Sequence, residues 1–217
     1  MTPGLSRRTT SAFVISITPF DRDGRLDETA LREHLRRMSA AGIGVYVGGG
    51  GSGEGFTLSD DEAARVLEIG VEELKGKVPI RSMGVEPRTA RQMVDFALMA
   101  RSAGVDATQI YSLDQGHGHR PTTLEIETYF SDILTAVDLP VVLSSHQSVG
   151  YAIPVEMIAD LVKKFDQIIG INCSQPDLAY LASIVDAVGD RVDIHVGGPT
   201  QTLTALSLGA QGFLTSE

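Results

Sequence analysis

The chain has 217 residues, 42% of them hydrophobic, with a formal net charge of −10, which is ordinary globular material able to bury a sizeable core. No basic stripe interrupts the acidic balance, so nucleic acid is not an expected partner, and no apolar stretch approaches the ~20 residues that a membrane helix needs. Cys173 is the only cysteine, which excludes an intrachain disulfide and predicts a reducing, cytoplasmic setting.

The start, 1–11, is expected to be disordered. Ser6-Arg7-Arg8 ahead of an apolar run has the outline of an export signal, but the run is short, ends at Thr18-Pro19 and leads straight into Asp21 and Arg22. It reads instead as a first strand, 12–18. Further strands are predicted at 43–48, 78–84, 107–112, 139–145, 168–173, 191–196 and 212–216, with helices between them at 27–41, 60–75, 89–103, 123–137, 154–165, 176–188 and 200–208. The strands are apolar almost throughout, as when both faces of a sheet are covered. Ser59-Asp60-Asp61-Glu62 and Thr122-Thr123-Leu124-Glu125 fit capping boxes. Pro154 and Pro176 suit first helical turns. Gly42, Gly76, Gly104, Gly189 and Gly209 fit left-handed helix ends. The unit repeats at roughly 20–35 residues, the size of a βα unit in an eight-fold barrel. Eight strands and seven helices predict an α/β fold, a single (β/α)8 TIM-barrel domain over 1–217 ending after strand eight; an open doubly wound sheet is the alternative.

In such barrels chemistry sits at the carboxyl ends of the strands. This directs attention to Thr18, Gly48 to Glu54, Met83, Tyr111 to His119, Ser144 to Gln147, Asn172 to Ser174, Gly197, and Thr215 to Glu217. Gly48-Gly49-Gly50-Gly51-Ser52-Gly53-Glu54-Gly55 contains a G-x-G-x-x-G string. Yet Glu54 intrudes, and Phe56-Thr57-Leu58 separate it from the next helix, so it does not lead into a pyrophosphate-binding helix start. A loop of bare amides can hold a single carboxylate, or be a tight turn with no ligand. Asp114-Gln115-Gly116-His117-Gly118-His119-Arg120 offers two histidines and an acid, read either as metal ligands or as a polar loop. His146 ends strand five on the inward side with Ser144 and is a candidate general acid or base, or a hydrogen-bonded wall residue. Cys173 should face away from the barrel axis as a structural thiol. Lys75, Lys77, Lys163 and Lys164 fall near helix ends, away from the strand mouths.

These strings converge on one family. Ile17-Thr18-Pro19-Phe20 with Asp23-Gly24, Gly50-Gly51-Ser52-Gly53-Glu54 with Leu58-Ser59, Asp138-Leu139-Pro140-Val141-Val142-Leu143, Gly170-Ile171-Asn172 and Leu208-Gly209-Ala210-Gln211-Gly212-Phe213 resemble, in order and spacing, the dihydrodipicolinate synthase/N-acetylneuraminate lyase family. The resemblance implies a TIM barrel that holds pyruvate or a related 2-oxo acid as a lysine imine, usually in a homotetramer, with an eighth helix and a helical segment beyond Glu217. The departures are specific. The family's imine lysine falls on Asn172, whose carboxamide nitrogen cannot form a Schiff base. The tyrosine at the end of strand five falls on Ser144. The arginine after it has no counterpart in Gln147-Ser148-Val149-Gly150, the first loop hydroxyl falls on Gly51, and the Pro-Tyr-Tyr segment falls on Ser112-Leu113-Asp114.

The expected function is therefore lyase or hydratase-type chemistry on a small carboxylate without an imine. Asn172, His146 and Ser144 are the expected catalytic residues. Gly51, Ser52 and Gly53, supported by Glu54, are expected to bind substrate together with Thr18 and Gly197. No metal and no cofactor are expected; the expected partners are a small carboxylate and further copies of the chain, as a dimer or tetramer. Two alternatives stand beside this: a metal-dependent lyase with ligands drawn from Glu54, His117, His119 and His146, and a non-catalytic protein that kept only the pocket.

Overall fold

Eight short parallel strands close on themselves in a computed structural model that describes residues 11–216. They are β1 (Ser11–Ile15), β2 (Gly44–Val47), β3 (Ile80–Ser82), β4 (Ala107–Tyr111), β5 (Val141–Ser145), β6 (Ile168–Cys173), β7 (Asp193–Gly197) and β8 (Gly212–Thr215). Each pairs with its sequence neighbours, and β8 returns to β1 in the register Ser11↔Gly212 to Val14↔Thr215. Seven helices alternate with them: α1 (Glu28–Ala40), α2 (Asp60–Leu74), α3 (Ala90–Ala103), α4 (Thr123–Ala136), α5 (Val155–Lys164), α6 (Leu178–Val188) and α7 (Thr202–Leu208). This is the (β/α)8 barrel, not the open sheet. The disorder expected over 1–11 lies outside the described residues, except that Ser11 opens β1.

Strand ends contract relative to the sequence reading for local reasons. In β3 the predicted 78–84 shrinks to three residues. Pro79 has no amide to give the ladder, and Gly84, at φ 67°, turns the chain away after Met83. Between β5 and β6 the register slips from Val141↔Ile168 to Val142↔Gly170. Ile169 is the extra residue and is partly exposed, as an unpaired bulge residue is.

Both predicted capping boxes form. Ser59 accepts from the Glu62 amide at 3.3 Å while the Glu62 carboxylate accepts from the Ser59 amide at 2.9 Å, and Thr122 and Glu125 repeat the exchange. The prolines differ from expectation: Pro154 is itself the N-cap of α5, and Pro176 precedes Asp177, whose carboxylate caps α6 by accepting from Ala179. Four of the five helix-closing glycines are left-handed. Gly189 is not, at φ −67°; a Cβ there would lie 2.5 Å from the Val185 carbonyl oxygen, so packing requires it. Outside the barrel, α1 and α2 are joined by Glu73, buried and bound by Arg32 at 3.0 Å and Arg36 at 2.8 Å.

The barrel interior carries polar as well as apolar groups. Phe13 stands at its centre, with the Tyr46 ring edge-on at 5.4 Å, the His195 ring edge-on at 5.2 Å and the Arg81 guanidinium 4.1 Å above its face. Gly44 makes room for it, since a Cβ would come within 2.5 Å of the Phe13 ring. His195 Nε2 shares a 2.8 Å hydrogen bond with Ser11, and its Nδ1 is buried without a partner. Burial, and secondarily the charge of Arg81, hold this imidazole neutral and push its pKa down to about 4.

A neutral histidine that protonates only on unfolding opposes acid stability. The unfolded chain takes up the proton below an ordinary pKa of about 6.5, so stability is full above that pH and declines toward pH 4, by roughly 3 kcal/mol. His34 and His146, both depressed by burial, act in the same direction. His195→Gln is expected to flatten the pH dependence of urea unfolding between pH 6.5 and 4; an unchanged slope would refute this account.

Candidate active site

The carboxyl ends of the strands enclose a cavity of about 90 Å³, room for about six water-sized groups. Its polar wall is Gln109, Tyr111, Ser144, His146, Asn172 and Gly197; Ile15, Met83 and Leu214 supply apolar surface. Strand register assembles this wall: Tyr111 pairs with Ser144, Ser144 with Asn172, and Asn172 with His195. Four of the eight residues read from the sequence as site residues, Asn172, His146, Ser144 and Gly197, are thus in one wall. Gly197 has a packing reason to be glycine, because a Cβ would lie 2.7 Å from that of Ser174.

Asn172 is 6% exposed. Its Nδ2 donates to Tyr46 Oη at 3.2 Å and to Gln109 Oε1, while its Oδ1 is buried with no partner. No lysine lines the cavity. Lys75 is held by the Gly104 carbonyl and Asp106, and Lys77 by the Glu73 carbonyl. The cation inside the barrel is Arg81, a guanidinium that stays protonated and forms no imine. An amide therefore faces this cavity at the end of β6, and no amine replaces it among the described residues.

His146 caps a short 3-10 turn at the end of β5. Its Nδ1 bonds Ser148 Oγ, which donates to Glu86 Oε1 at 3.0 Å, and Glu86 Oε1 lies 3.5 Å from the same Nδ1. Burial lowers the His146 pKa and the Glu86 charge pulls it back up. The Tyr111 ring meets the imidazole edge-on at 6.0 Å, and its own hydroxyl is kept neutral by burial. The Ser144 hydroxyl opens on the cavity without a protein partner among the described residues. Its carbonyl is fixed by Ser112 Oγ at 2.7 Å. Sequence reasoning stopped at Met83 and passed over Glu86, three residues on; Tyr46, Arg81 and Gln109 were passed over because they lie inside strands.

Gly51, Ser52, Gly53 and Thr18 are not in the cavity wall. The glycine loop lies against it instead: a Cβ on Gly49 would touch Met83 Sδ at 2.8 Å and Ile15 at 2.9 Å. Gly50 N donates to Gly84 O after β3, and the loop folds on itself with Glu54 N donating to Gly51 O and Gly55 N to Gly49 O. Gly53 packs so closely that a Cβ would sit 2.7 Å from the Gly49 carbonyl oxygen. The amides of Gly51, Ser52 and Gly53 donate to no protein acceptor among the described residues. The expected supporting role of the Glu54 carboxylate is not seen. That side chain is exposed, and it is the left-handed Glu54 backbone, at φ 50°, that turns the loop, its carbonyl accepting from Thr57. Thr18 is buried with an unpartnered hydroxyl.

Among the described residues no three of His, Cys, Asp and Glu converge to hold a metal ion, so Glu54, His117, His119 and His146 are not brought together as ligands. His117 and His119 are exposed in a loop tied down through Asp114, whose carboxylate lies 3.2 Å from Arg88. Cys173 is buried, and burial raises its thiol pKa, which disfavours a thiolate nucleophile. No helix is long and apolar enough to cross a membrane among the described residues. Glu217 lies outside them.

A family model described as the Dihydrodipicolinate synthetase family matches residues 8–217. The 4-hydroxy-tetrahydrodipicolinate synthase of Nitratidesulfovibrio vulgaris (strain Hildenborough) is 29% identical over 207 residues, covering 95% of this chain and 69% of the relative. That of Methanopyrus kandleri is 31% identical over 201 residues, covering 92% and 66%. Among solved structures, the 4-hydroxy-tetrahydrodipicolinate synthase of Methylacidiphilum fumariolicum SolV superposes with a TM-score of 0.87 at 25% identity, over 95% of this chain and 68% of that one. The dihydrodipicolinate synthase of Aquifex aeolicus superposes at 0.85 and 24%, over 94% and 69%.

The contact between Glu86 and His146 makes a directional prediction. Glu86→Gln removes the charge that favours imidazolium, so the His146 pKa should fall below its wild-type value when followed by NMR titration. A pKa that stays put or rises would show that Glu86 does not govern this imidazole.

Proposed function

The chain belongs to the dihydrodipicolinate synthetase family, and we propose that it is a lyase or hydratase-type enzyme acting on a small 2-oxo acid or related carboxylate without a lysine imine. The observation that carries the proposal is Asn172: a buried carboxamide with an unpartnered oxygen, in the wall of a cavity with no lysine among its described lining residues. A substrate carbonyl at this wall is polarised by hydrogen-bond donation, from the Ser144 hydroxyl and from Asn172 once its carboxamide is rotated to present Nδ2, the role preorganised donors fill for developing oxyanions, not by covalent attachment. His146 moves the proton. Ser148 and Glu86 engage its Nδ1 and leave Nε2 for the cavity, the arrangement that sets the tautomer of a catalytic imidazole. The Ser144 hydroxyl, free of protein partners, assists. The unengaged amides of Gly51 to Gly53 with the Ser52 hydroxyl hold the carboxylate, and Thr18 and Gly197 shape the space around it. The naming of the relatives as 4-hydroxy-tetrahydrodipicolinate synthases supports a substrate of comparable size and acidity. Assembly as a dimer or tetramer belongs to the same reading, supported by the exposed Leu124, Leu178 and Leu203.

Two experiments test the proposal. Incubation with pyruvate and borohydride followed by intact-mass measurement should give no adduct; a stable lysine adduct would sink the imine-free chemistry. In a turnover screen of 2-oxo acids and sugar acids, His146→Gln should lose roughly 10²–10⁴-fold in rate while still binding the substrate. Ligand stabilisation of the wild type without any turnover would replace the enzyme reading with a binding protein.

A further inference from the structure

Arg81 is 8% exposed and lies inside the closed barrel. It makes no ion pair with any carboxylate among the described residues. Its guanidinium is held by the Phe13 face at 4.1 Å, the Tyr46 ring at 5.6 Å and one hydrogen bond from Nη1 to Tyr46 Oη at 3.0 Å. A guanidinium is charged at any physiological pH, and burying a charge without a partner opposes folding. Aromatic faces offset part of that opposition; they do not supply an anion.

The hydrogen bonds around it are incomplete in a directed way. Tyr46 Oη accepts from Arg81 and from Asn172, so its own proton has no recipient among the described residues. Asn172 Oδ1 has no donor. Rotating the carboxamides of Asn172 and Gln109 by 180° moves no heavy-atom site and resolves both faults. The Tyr46 hydroxyl and Gln109 Nε2 then donate to Asn172 Oδ1. The bonds from Arg81 to Tyr46 and from Tyr46 to Asn172 then run in one direction. Asn172 Nδ2 becomes the terminal donor, at the position the unpartnered oxygen now holds, in a residue that lines the cavity. Such a chain is polarised along its length by the charge at its head.

We infer that Arg81 is the positioning residue for an anionic ligand oxygen: through Tyr46 it turns Asn172 into a donor and makes the cavity select a small anion over its neutral isostere. The ligand class is a compact carboxylate or 2-oxo acid whose charged oxygen meets Asn172 Nδ2 and whose charge offsets the buried guanidinium. This rests on the substrate class proposed above and assigns the residue that selects its charge.

Pyruvate and pyruvamide are the probes, titrated calorimetrically into the full chain. The wild type should prefer pyruvate. Arg81→Met should lose that preference by on the order of tenfold or more, the range of one charge-assisted hydrogen bond, while its urea unfolding is unchanged or shifted to higher denaturant. Arg81→Lys, which keeps the charge, should retain most of the preference. An R81M protein that still discriminates as the wild type does, or a wild type indifferent to the two probes, overturns the inference. If R81M does not fold, Tyr46→Phe keeps the ring stack and removes only the shared oxygen. Lost preference supports the relay, and wild-type preference overturns it. Failure here is separable from failure of the proposed chemistry, which is read from turnover and the borohydride adduct.

Discussion

One hydroxyl, that of Tyr46, joins the two halves of this barrel. Below it lie Phe13, His195 and the guanidinium of Arg81; beside it lie Asn172 and Gln109, which open on the cavity. A barrel of eight strands has an interior just wide enough to be filled by side chains, and apolar layers would be the simple filling. This chain instead places a fixed cation and a set of amides there. The closed ring of strand hydrogen bonds holds them at spacings a looser scaffold would let relax. The cavity takes its chemistry from that filling.

The cavity is electrically two-sided. Its inner end is tied to a cation that makes no ion pair with a carboxylate among the described residues. Its rim carries Glu86, His146 and Ser148, an acid and an imidazole in contact. The two ends lie at different depths, so their charges do not cancel. A buried site distinguishes an oxygen that gains negative charge from a group that must give up or receive a proton by just such a separation. In the function proposed above, Asn172 takes the first role and His146 the second; Ser144 pairs with Asn172 in the strand register. The amide at the end of β6 does not border an apolar hole. The neighbouring positions carry groups able to orient a carbonyl.

The glycine loop after β2 contributes in a different currency, backbone geometry. Gly53 is held against the Gly49 carbonyl at a distance that admits no side chain, and the loop's own hydrogen bonds leave three consecutive amides unengaged. That cradle borders the cavity wall without forming part of it. A ligand spanning the cavity and the loop would therefore be longer than one filling the cavity alone, which bears on the size of the acid to be tested.

The order of elements was legible in the sequence because it depends on local physics. Unbroken β-branched runs, the capping boxes at Ser59 and Thr122, and glycines such as Gly104 act within a few residues of themselves and need no tertiary context. So did the identity of the residue at the end of β6, since its place follows from strand position and an amide is not an amine. Only the fold decided the rest. Glu86 meets His146 across a gap of sixty positions, and Arg81, Tyr46 and Asn172 come from three different strands. Their partnership exists because barrel closure turns those particular side chains inward within hydrogen-bonding reach of one another. The pattern of apolar residues specifies which face of a strand is buried, but it carries no record of which buried polar atoms will meet. That is set by register and by the shear of the closed sheet, properties of the assembled barrel and of no single segment.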